Sequence, residues 1–137
     1  MALIVRDAVV RKAISTLLPD ASAFYVIVPS KYLSEPYELS TGDRIRGRVL
    51  KAECGGEELP VLKDREIEFV LEVGMICDTL YVCREDWIEH FREYGLVEGG
   101  YVLELRLEKA ITIAGEEVAL YSKRDLVVES EREPVLA

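Results

Sequence analysis

Three arginines at alternate positions, Arg44, Arg46 and Arg48, have the spacing in this sequence that best suits a chemical task. In an extended strand, alternate residues point to the same face and lie about 7 Å apart. That interval is close to the spacing of phosphates along a nucleic-acid strand. The row predicts a face that binds a polyanion or, alternatively, a solvated strand face whose charges protect an edge.

A second chemical candidate is the set Cys54, Cys77, Cys83 and His90, because tetrahedral zinc accepts three cysteines and one histidine. The set contains no Cys-x-x-Cys pair. Cys77 and Cys83 lie in apolar runs, where cysteine behaves as a small hydrophobic residue. His90 is the single histidine, and its place in a segment of helical spacing predicts an exposed side chain. We therefore expect no metal site and three reduced, buried thiols.

Groups for acid–base or nucleophilic catalysis are sparse. With one histidine, a Ser-His-Asp or Cys-His-Asn arrangement has a single possible base. The pairs Glu57-Glu58 and Glu116-Glu117 follow glycines in predicted hairpin turns, where they are expected to be solvated. The glycine pairs at 55–56 and 99–100 match no phosphate-binding loop and are typical of turns. The sequence thus predicts no catalytic residue and no cofactor.

Length and charge limit the class of protein. The chain has 137 residues, half of them apolar, and a net charge of −9, which fits one globular domain. Residues 1–52 carry eight basic and five acidic side chains, whereas residues 53–137 carry nine and twenty-one. An anionic partner is therefore expected to meet the first part. We predict a cytoplasmic protein, because the sequence shows neither a membrane-spanning run nor the pattern of a signal peptide.

The elements that carry these residues recur along the chain. Residues 24–72 and 80–128 each contain a β-rich run, a helical segment, a glycine turn and a long alternating strand that ends in Lys-Ala. A Gly-Glu-Glu turn and another apolar run follow in both. In the second copy, Trp87 and Phe91 recur at helical spacing and predict a helix over Glu85–Tyr94. We predict two repeats that form a single barrel within residues 22–128. The aligned second copy has Glu104 in place of Arg46, so the basic face is not repeated.

The flanking segments carry different patterns. Residues 7–18 begin with an aspartate, stop before a proline and place Val10 and Ile14 on one helical face. They predict an amphipathic helix within an N-terminal extension, residues 1–21, that packs on the barrel. Residues 129–137 are polar and have no pattern, which predicts a loose tail.

The first repeat resembles a known arrangement. Its pattern, Val26-x-Val28-Pro29, a short helix and then Leu39-x-x-Gly42-Asp43-x-Ile45-x-x-x-Val49, is similar to the core of AbrB- and MazE-type swapped-hairpin barrels of the cradle-loop group. The resemblance implies a mainly β fold with short helices, in which two units in one chain form the barrel that the family builds as a homodimer. The second copy departs from the pattern, with Cys83 where Pro29 stands and Gly100 where Asp43 stands.

The resemblance also implies DNA binding through basic side chains, for which Lys31, Arg44, Arg46 and Arg48 are the candidates. Because the second copy has Val102 and Glu104 where Arg44 and Arg46 stand, our leading hypothesis is a non-enzymatic regulatory or interaction module of this barrel type. One alternative is a DNA-binding regulator that uses the Arg44–Arg48 face. Another is a small enzyme similar to RIFT-barrel riboflavin kinases, binding a nucleotide or flavin at the barrel mouth. The acidic second repeat is a candidate surface for a protein partner, and the oligomeric state stays open.

Overall fold

The protein is described by a computed structural model that covers residues 2–16, 18–94, 100–120 and 126–130. The described residues form nine strands, two α-helices and two 3₁₀ turns, at Ser30–Tyr32 and Pro60–Leu62. The helices are α1 (Ser34–Tyr37) and α2 (Glu85–Tyr94), the latter as predicted. The strands are β1 (Leu3–Lys12), β2 (Phe24–Pro29), β3 (Arg44–Cys54), β4 (Glu57–Glu58), β5 (Glu66–Glu72), β6 (Cys77–Val82), β7 (Tyr101–Ile111), β8 (Glu117–Ala119) and β9 (Leu126–Glu129). In this part of the chain no helix is long and apolar enough to cross a membrane.

Six antiparallel strands close into a barrel, which confirms the prediction of a mainly β fold. They follow the order β3, β5, β6, β2, β1 and β7, and β7 pairs with β3 to complete the wall. Side chains of β3 alternate between the barrel interior and the outer surface. Ile45 and Val49 are fully buried, whereas Arg46 is exposed. The inward residues of the other strands are also apolar, so the barrel interior is a packed core.

Gly47 lies where β3 and β7 come closest. A Cβ atom at this position would lie 2.1 Å from the carbonyl oxygen of Arg106, far inside van der Waals contact. The register between the two strands also shifts between Arg46 and Gly47. Glycine is therefore required for this approach, which closes the barrel.

One end of the barrel, which we call the helix end, is covered by α2. Trp87 and Phe91 are fully buried, as the helical spacing predicts. The ring of Phe91 lies 5.7 Å from that of Phe24, at the start of β2, and 5.0 Å from that of Tyr101, at the start of β7. Indole Nε1 of Trp87 donates a 2.7 Å hydrogen bond to the carbonyl of Glu66, which fastens the helix to β5.

The opposite end, which we call the turn end, is formed by residues 30–43 and the loops at 73–76 and 112–116. Asp78 is fully buried there, and its carboxylate accepts hydrogen bonds from the backbone N–H and the hydroxyl of Ser34, at 2.9 and 2.7 Å. Ser30 Oγ lies 2.9 Å from the same carboxylate. A carboxylate therefore holds the segment before β3 against the start of β6.

Asp43 is the second buried carboxylate of the turn end. Its two oxygens accept hydrogen bonds from the backbone N–H groups of Ser40, at 2.8 Å, and Ile113, at 3.0 Å. Gly42 beside it has a φ of +100°, which supports the predicted glycine turn into β3. The turn thus ties the first half of the barrel to the loop after β7.

The predicted helix over residues 7–18 is wrong, because residues 3–12 form strand β1. Asp7 adopts a φ of +55° at a register shift between Val5 and Ala8, where β1 pairs with β7. This irregularity moves the apolar side chains out of simple alternation, so that the remaining pattern imitates helical spacing. Asp7, interpreted as a helix cap, belongs to that irregularity.

Strand β1 completes the barrel between β2 and β7, as β5 does between β6 and β3. The last described strand, β9, pairs with β1 in parallel and lies outside the ring of six. Glu129 is the last residue of β9, so the predicted loose tail, 129–137, begins inside a strand. Its residues 131–137 lie outside the described part of the chain.

Candidate functional site

The three arginines of the sequence analysis share the outer face of β3, and each has an acidic neighbour. The antiparallel register places Arg46 opposite Glu68 and Arg48 opposite Glu66 on β5. Nε of Arg46 lies 2.6 Å from a carboxylate oxygen of Glu68, and Nη2 of Arg48 lies 3.1 Å from Glu66. Arg44 reaches Glu68 at 3.5 Å. The predicted basic row is therefore neutralised along one side.

Arg46 and Arg48, with their partners Glu68 and Glu66, line an open groove of about 610 Å³ on the barrel wall, which we call the charged groove. Arg44 is not part of its lining. The groove crosses β5, β3 and β7 and takes one further residue from the loop before α2. Four of its side chains are basic and three are acidic, so it is close to neutral on a protein with a net charge of −9. The lining residues are Arg46, Gly47, Arg48, Glu66, Ile67, Glu68, Arg84, Glu108 and Lys109.

Further ion pairs bound the groove on both sides. Arg84 bridges Glu66, at 3.4 Å, and Asp86, at 3.2 Å. On the β7 side, Lys109 lies 3.1 Å from Glu117 of β8, and Nε of Arg48 lies 3.9 Å from Glu108. The floor thus presents basic side chains between acidic neighbours from adjacent strands.

The Arg46–Glu68 pair changes the titration of both partners. Burial of Glu68 acts to raise the pKa of its carboxyl, but the hydrogen bond and the charge of Arg46 outweigh burial, and the pKa lies below its ordinary value. The same hydrogen bond raises the pKa of Arg46. Both groups are therefore charged at neutral pH.

Cys83 lies at the edge of this network. Its Sγ is 3.5 Å from Nη1 of Arg44 and 3.6 Å from a carboxylate oxygen of Glu68. Burial, followed by the charge of Glu68, raises the pKa of the thiol to about 12. The Cys83 thiol is therefore uncharged and a poor nucleophile at neutral pH.

The other metal candidates lie on different elements: Cys54 ends β3, Cys77 begins β6 and His90 is in α2. Cys54, Cys77 and Cys83 form no disulfide and are half-buried rather than fully buried. Among the described residues, no group of three or more histidine, cysteine or carboxylate side chains is arranged to hold a metal ion.

The expectation that His90 is exposed is wrong. The imidazole is half-buried at the helix end, with Nε2 2.6 Å from the hydroxyl oxygen of Tyr101. Its ring also packs edge-on against those of Trp87 and Phe91, at 5.9 and 6.0 Å. Helical spacing alone gave no sign of this contact, because Tyr101 lies outside the helix, at the start of β7.

Lys31 lies apart from the arginines. It belongs to the 3₁₀ turn after β2, where its Nζ lies 5.1 Å from the ring of Tyr32. The neighbouring Pro29 pairs with Cys77 at one end of β6, while Arg44 contacts Cys83 just beyond the other end. The structure therefore brings the three arginines together and leaves Lys31 a strand length away.

The sequence analysis missed the acidic half of the groove, Glu66, Glu68 and Glu108, and also Arg84 and Lys109. The alternation Glu66-Ile67-Glu68-Phe69 was a usable signal, since it places two carboxylates on one strand face. Only the register of β5 against β3 shows that these carboxylates meet the arginines.

Comparison with protein-family models, curated proteins and solved structures finds no match to this chain. The class that fold and site define is therefore a closed six-stranded antiparallel barrel with a charged groove on its wall.

Proposed function

We propose that this protein is a non-enzymatic interaction module and that the charged groove is its binding surface for a protein partner. The observation that carries the proposal is the pairing of the β3 arginines with Glu66 and Glu68. A polyanion has to compete with these carboxylates for the guanidinium groups and meets repulsion from them. A protein surface that carries both signs of charge can match the pattern without that penalty.

The filled barrel supports a non-enzymatic function. A small-ligand enzyme that uses the barrel mouth needs an accessible interior. Here the helix end is covered by Trp87 and Phe91, both fully buried, and the interior is occupied by apolar side chains. The groove itself is open and lined by charged residues that pair with one another.

We further propose that the barrel is a duplicated, AbrB-like swapped-hairpin barrel in the cytoplasm. In support, β2 to β5 and β6 to β9 follow the same order of strand, helix, long strand, hairpin and strand. The register also fits: β3 pairs Arg46 with Lys109 and Lys51 with Glu104. In the alignment of the repeats, Arg46 corresponds to Glu104 and Lys51 corresponds to Lys109. Replacing each residue by its counterpart converts one strand pair into the other, as expected for two copies related by a twofold axis. The absence of a disulfide among Cys54, Cys77 and Cys83 fits a reducing compartment.

The experiment uses an exchange of charges that preserves the ion pair. The double variant Arg46→Glu, Glu68→Arg keeps the net charge and an opposite-charge pair but reverses the pattern in the groove. The matched control is Lys51→Glu, Glu53→Lys, which exchanges a 3.0 Å pair on the same strand outside the groove. Immobilised wild type and both variants are compared for the proteins that they retain from a lysate of the source organism.

We expect wild type and the control to retain the same partner, and the groove variant to lose at least ~10-fold of it, as removal of central interface charges does. Equal retention by all three proteins overturns the groove as the binding surface. Circular dichroism checks that the variants are folded.

DNA binding by the same face is the second candidate, supported by the exposure of Arg46 and Arg48, whose side chains are 50% and 41% accessible. It is tested by mobility shift with mixed genomic fragments at low and moderate salt. Retention that falls with salt and is lost in the Arg46→Ala, Arg48→Ala variant replaces our proposal with DNA binding. No shift at low salt supports the protein-binding proposal.

A further inference from the structure

Four large apolar side chains protrude from the turn end, and we call them the apolar tip: Val73, Met75, Ile76 and Ile113. Met75 is 95% exposed, Ile113 73% and Ile76 64%. They come from two loops far apart in sequence, one between β5 and β6 and the other between β7 and β8. Both loops meet the Gly42 turn, so the exposed side chains belong to one surface.

Hydrogen bonds fix the backbone beneath these side chains. The N–H of Val73 donates to the hydroxyl of Thr41 at 3.0 Å, and the N–H of Ile113 donates to buried Asp43 at 3.0 Å. The carbonyl of Ile76 accepts from Ser30 at 2.8 Å. A Cβ added to Gly42 would lie 3.2 Å from Cδ1 of Ile113, so that side chain rests directly on the turn. These contacts hold both loops against the same turn, and exposed apolar side chains grouped on one surface mark interaction sites.

The segments at the apolar tip are rich in carboxylates. The two loops, residues 72–78 and 112–117, and the segment on which they rest, residues 30–43, contain one lysine and seven acidic residues. Their formal charge is −6. Asp43 and Asp78 are buried. The exposed carboxylates, which we call the acidic rim, are Glu35, Glu38, Glu72, Glu116 and Glu117. Glu117 is paired with Lys109.

We propose that the apolar tip docks a cationic amphipathic segment of a partner protein, with apolar side chains against Met75 and Ile113 and with lysines or arginines facing the acidic rim. An apolar centre inside a charged rim of one sign is the arrangement that selects such a segment, as helix-in-groove recognition does. The acidic rim repels anionic lipids and nucleic acids. The apolar side chains of this surface are not among the lining residues of the charged groove, and the two surfaces meet only where Glu117 pairs with Lys109. The inference does not depend on the function proposed for the groove.

Selection from a random peptide library displayed on phage tests the proposal. Wild-type protein is the bait, and the tip variant Met75→Ser, Ile113→Ser is the counter-bait. The matched control is Val61→Ser, which removes an apolar side chain 78% exposed outside the tip. Dissociation constants of synthesised peptides are then measured by fluorescence anisotropy.

We expect the selected peptides to combine apolar residues at helical spacing with lysine or arginine. Their affinity should fall about tenfold or more in the tip variant, fall less in Glu72→Gln, Glu116→Gln, and stay unchanged in Val61→Ser. The Arg46→Glu, Glu68→Arg groove variant should bind these peptides as wild type does, which separates the two surfaces.

Four outcomes overturn the proposal. The first is a selection that yields no enriched sequences or only acidic ones. The second is equal affinity of the peptides for wild type and the tip variant. In the third, light scattering shows a dimer that the tip variant abolishes, so that a second copy is the occupant. In the fourth, vesicles of phosphatidylcholine and phosphatidylglycerol retain wild type but not the tip variant, so that a membrane is the occupant.

Discussion

The two ends of the barrel are closed by different chemistry. At the helix end, Trp87 and Phe91 pack against aromatic residues from β2 and β7 and are removed from solvent. At the turn end, the buried carboxylates of Asp43 and Asp78 hold the chain by accepting hydrogen bonds from backbone and hydroxyl groups. The aromatic side chains of α2 are hidden at the helix end, whereas Val73, Met75, Ile76 and Ile113 are exposed at the turn end.

This difference shows how a small barrel can retain an exposed apolar surface. Where hydrogen bonds to a buried carboxylate fix the loops, their apolar side chains are not needed for packing and remain available to a partner. Where a helix covers the end of the barrel, its apolar face is buried in the core and is not available to a partner. The helix end should therefore depend on apolar volume and the turn end on polar pairing.

The largest expected effect is at the helix end. Trp87→Ala removes a fully buried indole and leaves the carbonyl of Glu66 without its 2.7 Å hydrogen bond. We expect a loss of about 3–5 kcal/mol in the free energy of unfolding. Because Trp87 is the single tryptophan, urea unfolding is followed by circular dichroism. Val61→Ala, at a largely exposed position, should change stability by less than about 0.5 kcal/mol. A loss below about 1 kcal/mol in Trp87→Ala contradicts the apolar closure of this end.

The turn end should respond next. Asp78→Ala leaves the backbone N–H and hydroxyl of Ser34 buried without an acceptor, which we expect to cost about 2–3 kcal/mol. Asp78→Asn keeps one acceptor oxygen and should recover part of that loss. Urea unfolding measures both variants, with Glu57→Ala as a control because Glu57 is exposed in β4. Wild-type stability in Asp78→Ala contradicts the polar closure of the turn end.

Local patterns were sufficient for the elements that close the barrel. The apolar spacing of Trp87 and Phe91 predicted α2, and Gly42-Asp43 predicted the turn into β3. Strand β1 was missed because Asp7, with a φ of +55°, interrupts the alternation on which a strand prediction depends. That interruption is set by pairing with β7, about a hundred residues away, which no local pattern contains.

The candidate site was predictable only in part for the same reason. The spacing of Arg44, Arg46 and Arg48 correctly placed them on one outward face. Their chemistry, however, depends on which strand lies beside them. With Glu66 and Glu68 opposite, Arg46 and Arg48 belong to a mixed-charge groove, and this register is a tertiary property.

A smaller effect tests whether polar bonds matter equally at both ends. Tyr101→Phe removes the hydroxyl that lies 2.6 Å from Nε2 of His90 and keeps the ring that packs on Phe91. We expect a loss of about 1 kcal/mol, the usual net value of one hydrogen bond. Urea unfolding beside Asp78→Ala makes the comparison direct. A loss equal to that of Asp78→Ala means that the helix end also depends on polar pairing.

The smallest expected effect on stability concerns the barrel wall between the two ends, where the Arg46–Glu68 ion pair is partly exposed to solvent. Because the folded protein lowers the pKa of Glu68 below its ordinary value of 4.5, the pair stabilises the fold above that value and loses its contribution as the pH falls through the lowered pKa. Glu68→Gln should therefore cost about 0.5–1 kcal/mol at neutral pH, as partly exposed ion pairs do, and progressively less in acid. Urea unfolding of both proteins between about pH 7 and pH 3 measures the difference. A difference that stays constant or grows toward acid pH means that Glu68 acts through packing rather than through its charge.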